Sequence, residues 1–341
     1  MPVRRVPAGL ARDQLIDIYY YLKLTRSLDE RLVNLHRQGK LVGGLFSSLG
    51  QEGESVASAY ALEDGDMLSP LIRNVGAVLV RGAKPIDILR QYMGKATAPT
   101  GGRDTNTHFN DIGAGYLGQI SHLGDMVVVM AGVALSFKLR NEKRVGLVYV
   151  GDGATSTGAF HEGINLAAVQ RAPLVVIVEN NGYAYSTPTR MQAAVERLAT
   201  KAKAYGIPSV SVDGNDVFAV YEATRKAAQN ARDGGGVSLI EVVTYRRKGH
   251  AQHDDQRYQP KEEIARWAKQ DPVDRYVERI STEGWVSQED LRRVDARVDR
   301  ELEAAIAQSV KEETPDGGTA LTNVLVDPNS AAELWYRACD G

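Results

Sequence analysis

Residues 144–158 read "RVGLVYVGDGATSTG", an apolar run that ends in a turn rich in glycine. A continuous apolar run of this length is typical of a buried strand, and the residues that follow have helical spacing. A glycine turn between a strand and a helix usually cradles phosphate. Asp152 lies inside this turn, and a carboxylate repels phosphate. The sequence therefore predicts that a further group separates Asp152 from a bound anion.

Apolar strands and helical segments alternate from residue 126 to residue 246. Strands of this kind, separated by helices, are typical of a parallel sheet that is covered on both faces. We therefore predict an α/β fold with a doubly wound, mostly parallel sheet. The strands are predicted at 145–150, 173–179, 209–214 and 237–246, and the helices at 126–140, 159–171, 191–206 and 216–236. The helix at 126–140 is so apolar that we expect it to be buried.

Helical segments flank this α/β part at both ends. A long helix is predicted at 11–38, and shorter ones at 50–62 and 84–94. Residues 95–125 lack periodicity, and a loop of this length is more often functional than incidental. After residue 260 the sequence is charged and helical. We predict a helical N-terminal arm (1–64), an α/β domain (65–260) and a helical C-terminal extension (261–341).

The overall composition excludes some classes of function. The net charge of -2 and the pI near 6.3 give no electrostatic footprint for nucleic acid or an anionic membrane. The single cysteine, Cys339, suits a reducing compartment. The opening residues lack the apolar core of a signal peptide, and no apolar segment approaches about 18 residues. We therefore expect a soluble, cytoplasmic protein without nucleic-acid or membrane partners.

Three polar loops follow predicted strands of the sheet. They read "GDGATSTG" (151–158), "NNGYAYSTPT" (180–189) and "RRKGHAQHDD" (246–255). Because the carboxyl ends of parallel strands meet at one edge, we expect these loops to lie together. The carboxylate of Asp152 and the carboxamide of Asn181 are hard oxygen ligands, which suit Mg²⁺ or Ca²⁺ and not zinc. The loops therefore predict a clamp in which a divalent cation joins Asp152 to a diphosphate.

The competing interpretation of the first loop is a nucleotide-binding turn. The sequence "GDGATSTG" does not fit G-x-G-x-x-G in a first βαβ unit, and it lacks the lysine of a phosphate-binding P-loop. Instead, G-D-G is followed after 26 intervening residues by Asn180 and Asn181. This spacing is typical of thiamine diphosphate enzymes.

With these motifs, the chain resembles the alpha subunit of the thiamine diphosphate-dependent first component of 2-oxo acid dehydrogenase complexes. The resemblance covers roughly residues 11–285. The branched-chain (2-oxoisovalerate) branch of the family is most similar to the stretches at 180–189 and 212–221. The matching stretches are "GQEGE" (50–54), "GDGATSTGAFHEGINLA" (151–167), "ENNGYAYSTPT" (179–189), "VDGNDVFAVY" (212–221), "TYRRKGH" (244–250) and "HDD…Y" (253–258).

The resemblance implies a role for individual residues. The ligands of Mg²⁺ would be the side chains of Asp152 and Asn181 and the carbonyl of Tyr183. The contacts with thiamine diphosphate would be made by Arg73, Ser121, Leu123, Gly151, Asp152, Gly153, Ala154, Asn181, Arg246 and His250. His250 would also serve acid–base steps, including acyl transfer to a lipoyl group. Arg246, Asp254, Asp255 and Tyr258 would order the loop that carries it.

The sequence departs from the family pattern at several positions. Ile72 stands where an aromatic residue usually precedes the equivalent of Arg73, and Val75 stands where a histidine usually follows it. His122 replaces a proline between Ser121 and Leu123. Ala251 stands where mammalian relatives carry a regulatory serine, which excludes phosphorylation there.

The cofactor site that the sequence predicts is only half of a complete one. The glutamate that normally holds the aminopyrimidine is not identifiable, and in the resembled family it belongs to a beta subunit. The resemblance therefore implies an α₂β₂ heterotetramer that acts on a small 2-oxo acid and passes the acyl group to a lipoyl-bearing acyltransferase. The alternatives are the alpha subunit of acetoin dehydrogenase or pyruvate dehydrogenase. A different class, a non-catalytic metal- or nucleotide-binding partner, also stays open.

Overall fold

A five-stranded parallel sheet forms the centre of the computed structural model, which describes residues 6–322. The strands are β1 (Met67–Ser69), β2 (Gly146–Gly151), β3 (Leu174–Asn180), β6 (Ser209–Asp213) and β7 (Ser238–Val243), in the spatial order β1-β2-β3-β7-β6. A small antiparallel hairpin is formed by β4 (Tyr183–Ala184) and β5 (Thr187–Pro188). The prediction of an α/β fold with a parallel sheet is confirmed. Cys339 lies outside the described residues.

The helices lie before, between and after the strands. They are α1 (Arg12–Arg37), α2 (Glu52–Tyr60), α3 (Val75–Val80), α4 (Pro85–Tyr92), α5 (Asp125–Leu139), α6 (Gly158–Val169), α7 (Val217–Asn230), α8 (Lys261–Ala268), α9 (Pro272–Thr282) and α10 (Gln288–Lys311). None of the helices within residues 6–322 combines the length and the apolar composition that crossing a bilayer requires.

The strands β2, β3 and β7 are buried on both faces, whereas the edge strand β6 is mostly exposed. Successive strand residues point to opposite faces of the sheet. In β2, Leu147 and Tyr149 join one hydrophobic cluster, and Val148 and Val150 join the other. The first cluster also contains residues of α1, α2, α7, α9 and α10, and the second contains residues of α5 and α6. Helices from both termini thus share a core with the sheet, and the three-part division stays a prediction.

Three features of the fold differ from the sequence-based predictions. The edge strand β1 was not predicted, since three residues are too few to show periodicity. The helix predicted at 191–206 is wrong in its first half: a short 3₁₀ helix ends at Met191, residues 192–197 form turns and bends, and Leu198–Tyr205 are helical in a 3₁₀ conformation. Tertiary hydrogen bonds compete there, because Gln192 donates to the carbonyl of Thr187 and Glu241 accepts from the backbone of Ala199.

The third difference concerns α5, which was expected to be buried. One side of this helix is indeed in the core, including Val127, Met130 and Ala134. The opposite side exposes Val128, Val129 and Leu139 to solvent in the single chain. Because both sides are apolar, the sequence shows no periodicity that would separate the core side from the outer side.

Candidate active site at the carboxyl edge of the sheet

The register of the sheet brings the three predicted loops together. Gly151 at the end of β2 pairs with Glu179, and Asn180 at the end of β3 pairs with Val243. The backbone nitrogen of Asp152 donates to the carbonyl of Glu179 at 3.1 Å. The polar loops that follow β2, β3 and β7 therefore start from one edge, as predicted.

Asp152 is a buried carboxyl group that neutral donors hold in place. Its Oδ2 accepts hydrogen bonds from the hydroxyl of Thr189 at 2.5 Å and from the amide of Gln192 at 3.4 Å. Burial raises the pKa of Asp152 above its ordinary value. A buried carboxylate is costly without a positive partner, so this position suits a cation.

The other predicted metal ligands lie on the loop after β3. Oδ1 of Asn181 accepts from the backbone nitrogen of Tyr183 at 3.3 Å, and the carbonyl of Tyr183 accepts from Arg246 at 3.3 Å. Within residues 6–322 no group of three or more His, Cys, Asp and Glu side chains forms a metal cage. One carboxylate with neutral oxygens is nevertheless a donor set that fits Mg²⁺, which completes its octahedron with water and phosphate.

The glycines of the first loop differ in what surrounds them. A β-carbon on Gly153 would lie 2.5 Å from that of Ala184, so close packing against β4 excludes a side chain there. A β-carbon on Gly151 would meet nothing within 4 Å. The protein itself therefore leaves open space beside Gly151. A 3₁₀ turn, Gly153–Ser156, follows and contains the buried Ala154, so α6 begins some residues after the loop.

Two arginines are buried close to this loop, and neither contacts a carboxylate of residues 6–322 directly. Arg246 donates to the carbonyls of Tyr183, Tyr185 and Lys248 and to the hydroxyl of Tyr258. Arg73 donates to the carbonyl of His250, while its Nε is buried without a partner. Burial and the charge of Arg246 lower the pKa of Arg73 to about 10. Two guanidinium groups without an acid partner form a site that fits a dianionic ligand.

His250 lies between two aromatic rings on the loop after β7. Its ring centre is 5.4 Å from that of Phe46 and 4.5 Å from that of Tyr185. Nδ1 of His250 is buried without a hydrogen-bond partner. Burial, Arg73 and Arg246 lower the pKa of His250 to about 4. The imidazole is therefore neutral near pH 7 and able to accept a proton.

A hydrogen-bond network orders the backbone around His250. Oδ2 of Asp254 accepts from the nitrogen of His250 at 2.7 Å and from the hydroxyl of Tyr258 at 2.5 Å. Burial would raise the pKa of Asp254, but these hydrogen bonds and that from Gln256 lower it. Asp255 is more exposed and pairs with Arg257 at 2.7 Å. Asp254 and Tyr258 thus contact the loop residues directly, whereas Asp255 bonds only to its neighbour.

Residues 20–317 match the family model described as "Dehydrogenase E1 component". The chain belongs to this E1 family. It is 33% identical over 325 residues to the alpha subunit of acetoin:2,6-dichlorophenolindophenol oxidoreductase of Bacillus subtilis (strain 168), covering 95% of this chain and 97% of that protein. It is 37% identical over 330 residues to the pyruvate dehydrogenase E1 component subunit alpha of Staphylococcus aureus (strain Mu50). This match covers 96% of this chain and 86% of that protein.

The family confirms the predicted enzyme class: this E1 chain is an oxidoreductase component of the alpha type. The relatives just described are named for acetoin and pyruvate, and not for branched-chain 2-oxo acids. The preference for the branched-chain branch is therefore without support from these relatives. The relative named for acetoin and the relative named for pyruvate are similar to the chain to a comparable degree.

Ser121 and Leu123 stand apart from the buried site in this E1 chain. Both are exposed at the start of α5. They nevertheless lie beside the first loop, because a β-carbon on Gly124 would meet the hydroxyl of Thr157 at 2.3 Å. The single chain therefore presents Ser121 and Leu123 to solvent and not to Asp152 or Arg73.

The residues that depart from the family pattern differ in burial: His122 is exposed between Ser121 and Leu123, and Ile72 is half-buried. Val75 is buried as the first residue of α3, and Ala251 is buried beside His250. Between Arg73 and Val75, Asn74 donates its amide to the carboxyl group of Glu179. The loop of Arg73 is thus attached to β3 without the usual histidine.

Several residues around the site were not predicted from the sequence. Phe46 and Tyr185 flank His250, and Thr189 holds Asp152. Glu54 and Glu179 are fully buried beneath the site; burial raises the pKa of both, and the charge of Glu179 adds to the shift of Glu54. Tyr185 and Thr189 belong to a quoted motif, so their position was available, but the motif does not specify which neighbours they contact.

Proposed function

We propose that this chain is the alpha subunit of a thiamine diphosphate- and Mg²⁺-dependent 2-oxo acid dehydrogenase. The observation that carries the proposal is a buried carboxyl group and a buried guanidinium group that form no direct ion pair within residues 6–322. A buried carboxyl group, Asp152, has only neutral donors, and the buried Arg73 keeps an unpaired Nε. A metal-bound diphosphate would satisfy both at once.

Different residues of the chain would bind Mg²⁺ and the diphosphate. Asp152 and Asn181 would hold Mg²⁺ through their side chains, and Tyr183 through its carbonyl. The backbone from Gly151 to Ala154 would contact the diphosphate across the open space beside Gly151. Arg73 and Arg246 would neutralise its charge. Thiamine diphosphate, when bound, supplies the electron sink that decarboxylation of a 2-oxo acid needs.

His250 is the residue that we assign to proton transfer. Its imidazole is neutral because burial, Arg73 and Arg246 lower its pKa to about 4. A neutral imidazole accepts a proton and can return it, which suits acid–base steps with the substrate and with a lipoyl thiol. Asp254 and Tyr258 support this role by fixing the backbone at His250.

The proposed beta subunit would cover the exposed apolar surface of α5 and α6, which we call the α5–α6 face. Val128, Val129 and Leu139 of α5 and Leu166 and Val169 of α6 form it, and the two helices pack against each other. Exposed apolar side chains grouped in this way are typical of protein interfaces. Leu123, which is 55% exposed, lies at the start of α5, so the same partner would complete the cofactor site.

The proposed substrate is a small 2-oxo acid or acetoin. The sequence motifs favour a branched-chain 2-oxo acid, whereas the named relatives favour pyruvate or acetoin. The acyl group would then pass to a lipoyl-bearing acyltransferase. The acyl pocket would be shared with the beta subunit, so this chain alone does not define its size.

The test is turnover of the chain purified with its native beta subunit, in the presence of thiamine diphosphate and Mg²⁺. Reduction of an artificial electron acceptor is followed with pyruvate, 3-methyl-2-oxobutanoate, 4-methyl-2-oxopentanoate and acetoin. We expect turnover with at least one of them and none after removal of Mg²⁺. Asp152→Ala serves as the inactive control.

Two outcomes would change the proposal. Turnover with acetoin alone would assign the chain to an acetoin dehydrogenase, the second candidate that the Bacillus relative supports. Bound cofactor without turnover of any substrate, in an intact complex, would leave a metal-binding partner that has lost its chemistry.

A further inference from the structure

The turn of the β4–β5 hairpin contains an unusual backbone conformation. Two residues, Tyr185 and Ser186, connect Ala184 to Thr187. Tyr185 has φ +51°, in the left-handed region. Two-residue hairpin turns that need positive φ strongly favour asparagine and glycine. A tyrosine there is strained, and such strain is often retained because the side chain has a function.

The side chain of Tyr185 contacts His250. Its ring centre lies 4.5 Å from the imidazole centre, with the planes tilted by 48°. Tyr185 nevertheless stays 54% exposed, so the contact is not part of a hydrophobic core. The ring of Phe46 meets His250 edge-on at 5.4 Å. Tyr185 and Phe46 thus both contact the imidazole, and Tyr185 is the one that faces solvent.

The backbone of Tyr185 is held by the same arginine that we assign to the diphosphate. Its carbonyl accepts a hydrogen bond from Nη2 of Arg246 at 2.6 Å. Arg246 is fully buried and is also bonded to Tyr258, which in turn holds Asp254 and the backbone of His250. The hairpin turn and the catalytic loop are therefore fixed relative to each other through Arg246.

We propose that Tyr185 is a positioning residue for His250, whose ring fixes the orientation of the imidazole and shields it from water. This inference rests on the proposed function, in which His250 transfers protons. It explains why the hairpin keeps a strained tyrosine where asparagine would fit the backbone better.

The charges around His250 are consistent with a shielding role. Burial is the largest cause of its lowered pKa, followed by the positive charges of Arg73, Arg246 and, more weakly, His253, while Asp254 acts in the opposite direction. Removal of the Tyr185 ring would admit water to the exposed side of the imidazole. The pKa of His250 would then rise towards its ordinary value.

The experiment compares Tyr185→Phe and Tyr185→Asn in the complex with the beta subunit. Asparagine tolerates positive φ, so Tyr185→Asn should melt no lower than the wild type. We expect it to lower kcat for lipoyl acylation by about tenfold or more, because small misplacements of catalytic groups are costly. Tyr185→Phe keeps the ring and should keep the rate. The acid limb of the pH profile should move to higher pH in Tyr185→Asn only.

Arg171→Asn is the matched control. Arg171 also has positive φ, at +47°, and it precedes β3, at the opposite edge of the sheet from His250. Arg171→Asn relieves the same kind of backbone strain far from His250, and we expect no change in kcat. Combining Tyr185→Asn with His250→Gln should add no further loss to that of His250→Gln alone, because Tyr185 acts through His250.

Failures of the two proposals can be told apart. If the wild-type complex turns over no substrate, the proposed function is wrong. If the wild type is active and Tyr185→Asn keeps its rate and pH profile, the inference about Tyr185 is wrong while the function stands. A variant that loses stability and activity together, with an unchanged pH profile, would also overturn it, because Tyr185 would then be structural.

Discussion

The protonation of His250 is the residue-scale property that the site depends on most. Its pKa of about 4 lies below the ordinary value of 6.5. Between these values the unfolded chain binds a proton at His250 and the folded chain does not. Protonation of His250 therefore favours the unfolded chain. The free energy of unfolding is highest above pH 6.5 and decreases as the pH falls to about 4.

We predict that the imidazole of His250 titrates with a midpoint near pH 4 in the isolated chain. The measurement is an NMR titration of the histidine ring signals, with His250→Gln to assign the signal. A midpoint close to pH 6.5 would show that Arg73 and burial do not act on the ring, and would remove the argument for a neutral base.

Sequence reasoning placed four predicted site residues at one edge of the sheet because each lies in a loop after a predicted strand, and their roles stay predictions. Asp152, Asn181, Arg246 and His250 all lie at the carboxyl edge of the sheet, as the loop order predicts. It did not find Thr189 or Tyr185, since their roles depend on contacts across the β4–β5 hairpin. A hydroxyl and a ring at a turn carry no pattern that distinguishes such contacts from solvent exposure.

At the scale of elements, Gly151 and Gly153 at the end of β2 differ in how much space surrounds them. Gly153→Ala would force a β-carbon to 2.5 Å from that of Ala184, and we expect a loss of about 1–3 kcal/mol in the free energy of unfolding. The β-carbon added in Gly151→Ala would meet nothing within 4 Å, so the free energy of unfolding should change by less than about 0.5 kcal/mol. Urea unfolding measures both.

The variants Gly151→Ala and Gly153→Ala separate an effect on folding from an effect on cofactor binding. Gly151→Ala fills the space that we assign to the diphosphate, so thiamine diphosphate affinity should fall about tenfold, which corresponds to ~1.4 kcal/mol. Unchanged affinity in a normally folded Gly151→Ala protein would place the diphosphate elsewhere. Calorimetric titration in the complex with the beta subunit gives the affinity.

Thr189, which follows β5, links the hairpin to the proposed metal site. Its hydroxyl donates to Asp152 at 2.5 Å and to Oδ1 of Asn180 at 3.2 Å. Thr189→Val keeps the shape but removes the donor, and we expect Mg²⁺ affinity to fall about 10–100-fold. The Mg²⁺ dependence of cofactor binding reports this change. Thr187→Val, on the exposed part of the same hairpin, is the control, and an equal effect there would contradict the role of Thr189.

The strands and most helices were predictable because their apolar patterns are strong. The failures occurred where tertiary contacts decide the local structure. Residues 192–197 form turns because Gln192 uses its side chain on Asp152 and Thr187. The outer side of α5 was taken for core because its sequence is apolar all round. A sequence does not separate an interior from an interface when both are apolar.

At the scale of the whole molecule, we predict that the α5–α6 face binds the beta subunit. Leu139 is 74% exposed and Val169 is 70% exposed, so Val169→Glu should leave the folding of the chain unchanged. A charge within an apolar interface is costly, and we expect affinity for the beta subunit to fall at least about thirtyfold, or ~2 kcal/mol. Sedimentation of the mixed subunits measures assembly.

The control for this prediction is Val310→Glu, the same non-conservative change on α10, where Val310 is also exposed. Assembly should be unaffected by it. Equal loss with both variants would indicate a general effect of charge, and normal assembly with Val169→Glu would mean that the beta subunit binds a different surface.

The two buried arginines have a consequence for the life of the protein in a cell. Arg73 and Arg246 are buried near each other with lowered pKa values, and neither touches a carboxylate. A ligand that binds only the folded chain and neutralises them raises its resistance to unfolding in proportion to the logarithm of the ligand concentration. Chains made when thiamine diphosphate is scarce would unfold and be degraded sooner. The supply of the cofactor would thus set how much of the protein accumulates.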